Sequence, residues 1–260
     1  MAEESLGTKV TNLAVAVLTI VASLYGGYVF IESKFEEFVA EKLEPYQQLL
    51  IAQSIDNDGA IFEYQKSLKT MLDDKVTSEM LTAVVTPYLT SIANSDKPYK
   101  YQHHTESIRK LIGTKLPMDY NMANSFGWIY LSTNDVEKSR EYFQLSLSLY
   151  KQADLLELSS NTSYGLMLTY LISGDMEQAI ANYNNTWKYD YSGYNPNTYY
   201  SSGFQEYQWA QRLFALYPSL KGNHQKLLDY LKVTYELGEQ IKPKEINKEV
   251  IEALQIESGT

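Results

Sequence analysis

Residues 124–150 read NSFGWIYLSTNDVEKSREYFQLSLSLY, and residues 163–187 read SYGLMLTYLISGDMEQAIANYNNTW. Each stretch holds two runs of helical apolar spacing around a short polar break, Asn134-Asp135 in the first and Gly174-Asp175 in the second. Superposing the breaks lays Tyr130 over Tyr170, Ser139 over Ala179, Phe143 over Tyr183 and Leu147 over Trp187. The matched residue types have physical reasons. Small side chains let helices approach closely, aromatics fill the wedge between neighbouring pairs, and glycine or asparagine at the break accepts a left-handed backbone. The chain therefore repeats a helix-turn-helix unit, with 40 residues between the copies.

This pattern resembles the tetratricopeptide repeat, whose first helix carries a glycine and a tyrosine, followed by a Gly-Asp-like turn, a small residue and an aromatic. Gly127, Tyr130, Asp135, Ser139, Phe143 and Leu147 fit in the first copy, with Asn134 in the turn place usually held by glycine. Tyr170, Gly174, Asp175, Ala179 and Tyr183 fit in the second, where Met167 replaces the first-helix glycine. The family repeats every ~34 residues, so a longer second helix or loop of about six residues intervenes here. A weaker third copy centres on Lys221-Gly222-Asn223, with Phe214 and Ala215 before it, Leu227 and Leu231 after, and Pro218 where the tyrosine belongs. The resemblance covers residues 118–240 and implies an all-α fold, a TPR-like α-solenoid, that acts as a scaffold for protein partners. It also implies a concave groove lined by the first helix of each repeat: Asn121, Asn124, Trp128, Leu131 and Ser132, then Asn161, Tyr164, Leu168 and Leu171. Asparagine amides offer donor and acceptor to a peptide backbone, and Trp128 with Tyr164 would be rigid anchors. The alternative is that both rings pack between helices. The basic residues with which similar repeats clamp a carboxyl terminus are absent.

Working outward, residues 56–117 read as helical pairs and residues 241–260 as a capping helix and tail, with Val250, Ile251 and Leu254 on one side. The helices are expected at 60–72, 77–93, 102–113, 118–133, 136–152, 156–173, 176–189, 204–219, 223–239 and 244–255. Asp56, Asp58 and Gly59 have the spacing of an EF-hand calcium loop, but Ser54 and Gln65 stand where strong carboxylate ligands belong. An aspartate-capped turn is the better reading. Residues 183–204, YNNTWKYDYSGYNPNTYYSSGF, form an aromatic loop in which Trp187, Tyr189, Tyr191, Tyr194, Tyr199 and Tyr200 either contact a partner or plug the end of a helical pair.

Toward the amino end, a tail of residues 1–12 precedes LAVAVLTIVASLYGGYVFI at 13–31, nineteen residues without a charge. That length spans a hydrocarbon layer of about 30 Å as a helix, with Tyr25 and Tyr28 near the headgroups. Glu3 and Glu4 beside Lys9 argue against a cleaved signal peptide. Ala22 with Gly26 and Ser23 with Gly27 place small residues four apart, a groove for a second helix. Residues 32–55 continue as a helical stalk that Pro45 bends. Lys9 on one side of the span against Lys34 and Lys42 on the other is too even a balance to fix orientation by charge. Long domains translocate largely regardless of charge, so a cytoplasmic stub followed by an exported domain is allowed, and the periplasmic side of a bacterial inner membrane is the preferred placement.

The composition narrows the chemistry. A net charge of -10 argues against nucleic acid as partner, and Lys188 is the one basic residue in the aromatic loop. There is no cysteine for a disulfide, a thiolate metal site or a nucleophile. His103, His104 and His224 are the whole supply of imidazole, and the adjacent pair is expected at the surface. No phosphate loop or nucleophile elbow occurs. No catalytic, cofactor or metal site is therefore assigned, and the expectation is a non-enzymatic, single-pass membrane scaffold, an accessory or assembly subunit of a membrane complex. Its partners are proteins of the membrane, and self-association stays open. The alternatives are a periplasmic chaperone-like adaptor and a passive subunit docked through its spanning helix. Replacing Gly26 and Gly27 by leucine is predicted to weaken the intramembrane partnership; undiminished recovery of the partner in detergent pull-down would reject that docking face.

Overall fold

The computed structural model describes Lys34 and residues 51–52, 57–73, 76–188, 208–234 and 245–256. The spanning segment, nearly all of the stalk and the aromatic loop from Tyr189 to Tyr200 lie outside the described residues, as do Ala22, Ser23, Gly26 and Gly27. Among the described residues no helix is long and apolar enough to cross a membrane.

Every regular element described is helical: α1 Asn57–Asp73, α2 Ser78–Asn94, α3 Gln102–Leu111, α4 Tyr120–Ser132, α5 Val136–Gln152, α6 Ser160–Ser173, α7 Met176–Lys188, α8 Gln208–Leu216, α9 Pro218–Thr234 and α10 Lys248–Ile256. Short 3-10 turns at Pro98–Tyr101 and Leu156–Leu158 join neighbours. The two breaks that register the repeat are built alike. Asn134 and Gly174 both take left-handed backbone, at φ 65° and 77°. The next residue, Asp135 or Asp175, donates its N–H to the carbonyl of Tyr130 or Tyr170 at 3.0 Å in both copies. Each aspartate also caps the helix it starts, accepting from Lys138 N at 3.2 Å and Gln178 N at 3.1 Å. Thr77 and Asp119 cap α2 and α4 in the same way.

Small residues bring α4 and α5 together. Ser139 Oγ donates to the Gly127 carbonyl at 2.9 Å, and Ser146 Oγ to the Tyr120 carbonyl at 2.8 Å. Between these serines the Phe143 ring fills the gap left by two glycines: a Cβ on Gly127 would fall 2.5 Å from the ring, and one on Gly165 2.6 Å from its Cε1. Gly165, two residues before Met167, thus accommodates the aromatic of the preceding pair, while Met167 itself is buried core.

The apolar interior falls into two cores. One gathers α1, α2, the 3-10 turn and the inner faces of α3 and α4 up to Tyr130; the other begins at Leu131 and runs through α6, α7, α8, α9 and Ile251 of α10. Phe143 sits between them.

The third expected break is corrected. Lys221-Gly222-Asn223 lies inside α9, and the chain turns at Tyr217-Pro218 instead. Pro218 opens the helix at a position where its missing N–H costs nothing. Tyr217 locks the turn: its hydroxyl donates to the Leu131 carbonyl at 2.8 Å, and burial pushes its pKa up to about 12. At the carboxyl end, Lys248 of α10 pairs with Glu177 of α7 at 3.3 Å, and the Asn247 N–H donates to Tyr230 Oη at 2.9 Å.

Gly165→Ala is predicted to destabilise the domain by about 2 kcal/mol through overpacking, with Phe143→Leu in the same chain recovering part of the loss in denaturant titration.

Candidate binding cleft

The carboxyl-terminal end of α2 with its following turn, the middle of α4, the start of α6 and all of α8 surround a cavity of about 580 Å³. Trp128, Tyr164, Trp209 and Tyr99 give it aromatic walls; Asn94, Asp96, Asn161 and Arg212 give it polar ones. A second, more polar hollow of about 630 Å³ adjoins it, sharing Asn94, Trp128 and Asn161 and adding Thr86, Thr90, Asn121 and Asn124. Together they form one concave surface.

Asn161 is the hinge of its polar side. Its Oδ1 accepts from Trp128 Nε1 at 2.7 Å and from Asn124 Nδ2 at 3.0 Å. Asn124 Oδ1 in turn accepts from Thr162 Oγ1 at 3.0 Å, and Thr162 is anchored against Ser146 at 3.1 Å. The network fixes which way the amides face, since Asn161 Oδ1 accepts twice and Asn124 donates through its nitrogen and accepts through its oxygen. The Asn161 amide N–H groups are left without a hydrogen bond among the described residues. Asn121 Oδ1 accepts from Tyr150 Oη at 3.3 Å, so its amide nitrogen is likewise available.

The aromatic side is one cluster. Trp209 meets Trp128 edge-on at 6.3 Å between centroids and Tyr164 at 5.9 Å; Trp128 also meets Phe143 at 5.4 Å. Such perpendicular contacts are the favoured geometry of facing quadrupoles.

Of the groove residues expected from the sequence, the structure brings Asn121, Asn124, Trp128, Ser132 and Asn161 onto this surface. Tyr164 borders the cavity but is only 2% exposed, so it is wall and core at once. Leu168 is corrected: it is fully buried, as are Leu131 and Leu171, and all three belong to the carboxyl-terminal core. The cause is that α6 is covered on nearly every side, by α5, α7 and α9, so no single stripe of it faces the groove. In the aromatic loop, Tyr189, Tyr191, Tyr194, Tyr199 and Tyr200 lie outside the described residues, as does the side chain of Trp187 at the end of α7.

Trp209, Arg212, Asp96 and Asn94 join the cleft without a signal in the repeat pattern. Arg212 and Asp96 stand 116 residues apart in sequence, and of α8 the weaker third copy marks only Phe214 and Ala215. The Arg212 hydrogen bond and charge, with a smaller effect of Lys97, hold the Asp96 carboxyl below the usual range.

The histidine pair divides. His103 is exposed, whereas His104 is buried, against expectation, with its Nδ1 bonded to Tyr88 Oη; desolvation, then the charge of His103, pushes its pKa down. Asp58 Oδ1 accepts from Ser95 Oγ at 2.6 Å, tying α1 to the end of α2, while Asp56 lies outside the described residues. Among the described residues no group of histidine and acidic side chains is arranged to hold a metal ion.

Compared with protein-family models, curated proteins and solved structures, the chain matches none.

Tyr164→Ala is predicted to cost about 3 kcal/mol of stability because the ring is core. Asn161→Ala should cost less than about 1 kcal/mol, since water replaces the lost acceptor, while shifting the emission of Trp128. Thermal and denaturant unfolding of the two variants checks both.

Proposed function

We propose that this chain is a single-pass, membrane-anchored scaffold resembling the tetratricopeptide repeat proteins, and that it holds a segment of a protein partner in the concave cleft. The supporting observation is the cleft itself. Rigid aromatic rings sit beside Asn161 and Asn121, whose amide oxygens accept hydrogen bonds and whose amide N–H groups have no hydrogen bond among the described residues. Peptide backbone presents a carbonyl acceptor at every residue, and preorganised amide N–H donors satisfy it with little ordering cost. The volume suits a few side chains of an extended or turn segment.

Anchorage through residues 13–31 makes a membrane protein complex the setting, with the helical domain on the periplasmic side of a bacterial inner membrane. The role is that of an accessory or assembly subunit, with no chemistry of its own.

Affinity purification of the full chain in mild detergent, beside residues 32–260 alone, tests this. Partners kept by the shorter chain locate the interaction in the helical domain; partners lost with the anchor locate it in the membrane. Replacing Asn94, Asn121 and Asn161 together by alanine should lower recovery of the partner about tenfold with the helical circular dichroism unchanged. Undiminished recovery by that variant would show that the concave cleft is not the contact surface.

A further inference from the structure

The cleft already contains one contact between a cation and a carboxylate, and its geometry indicates what an incoming segment presents there. Arg212 of α8 reaches across the mouth, where Nη1 donates to Asp96 Oδ1 at 2.6 Å and to the Asp96 carbonyl at 3.3 Å. The contact bridges the elements of the two cores. It is also open to water: the two side chains are 43% and 73% exposed. An ion pair so exposed is worth little to folding, so one cation can exchange for another at small cost. Asp96 Oδ2 has no partner among the described residues.

The wall behind the pair favours positive charge. Trp128 and Trp209 line the cavity with Tyr99 at its rim, and the faces of such rings attract cations and repel anions. Among the described residues Arg212 is the one basic side chain on the cavity lining, and its charge is already matched by Asp96. An acidic segment seeking Arg212 would meet the Asp96 carboxylate beside it. Lys97, the other cation that acts on Asp96, is exposed and does not line the cavity. The whole chain carries a charge of -10, which draws basic partners from a distance.

We infer that the partner's segment inserts an arginine or lysine into the cleft, its cationic head taking the place of Arg212 at Asp96 and its methylene stem lying along Trp128 and Trp209. Arg212 is then a placeholder that keeps Asp96 compensated until the partner arrives. The inference rests on the cleft being the partner site proposed above.

The test uses the full chain in neutral-detergent micelles and two labelled peptides that differ only in a central arginine or glutamate, read by fluorescence anisotropy. The arginine peptide should bind about tenfold more tightly than the glutamate peptide. Asp96→Asn should erase that preference, and Arg212→Ala should tighten arginine binding severalfold because the competitor is gone, with circular dichroism confirming that both variants fold. If the glutamate peptide wins and Arg212→Ala loses it, the cleft reads an anion through Arg212 and this inference is overturned while the cleft reading stands. Equal binding of the two peptides overturns it as well, since charge is then not read. Failure of both peptides to bind overturns the cleft reading and this inference together.

Discussion

The ring of Phe143 stands between Gly127 on one helix and Gly165 on another, and the relative placement of three helices depends on that fit. Neither glycine can carry a β-carbon without striking the ring. The approach is close enough for serine hydroxyls on α5 to reach the backbone carbonyls of α4 directly. A larger side chain at Gly127 would hold α4 and α5 apart, and those hydrogen bonds would then span too great a distance; one at Gly165 would push α6 off α5.

Around that junction the apolar residues separate into two cores, with the division falling between Tyr130 and Leu131, consecutive residues of α4. Successive side chains of a helix point about 100° apart, so one helix serves both cores from different faces. The cleft lies where they diverge. Its floor is α4, its walls are the end of α2 on one side and α6 with α8 on the other, and across the mouth the Arg212–Asp96 pair is an exposed, weakly held bridge. A cleft of this kind is rigid at its base, where Trp128 is hydrogen-bonded and packed, and permissive at its rim.

The helices and their breaks are legible in the sequence because they depend on local chemistry. α5 runs from Val136 to Gln152, the bounds expected from its apolar spacing and its capping aspartate, and the left-handed residues Asn134 and Gly174 stand where the aligned repeat places them. The turn expected at Lys221-Gly222-Asn223 fails because glycine and asparagine are tolerated within a well-packed helix; Leu220, His224, Leu227 and Leu231 are all buried along α9 and hold it continuous. For the cleft, Asn121, Asn124, Trp128 and Asn161 are legible from the repeat, which marks them on the first helix of each pair. Leu168 is not, because α6 is apolar almost all round and offers no contrast between faces. The burial of His104 is equally hidden, since it needs the Tyr88 hydroxyl from a different helix.

What the sequence by itself determined is the all-helical architecture, the paired helices with their aspartate-capped turns, and the identity of the amides and the tryptophan on the first helix of the repeat. These follow from spacing, capping and backbone freedom within a few residues of one another. Only the tertiary structure decided that Gly165 receives the ring of Phe143, that Tyr164 and Leu168 belong to the interior, and that Trp209 and Arg212 complete the cleft opposite Asp96. Each of those depends on atoms brought together from distant parts of the chain, and the packing of α8 against α4 is what brings Arg212 within reach of Asp96 across 116 residues.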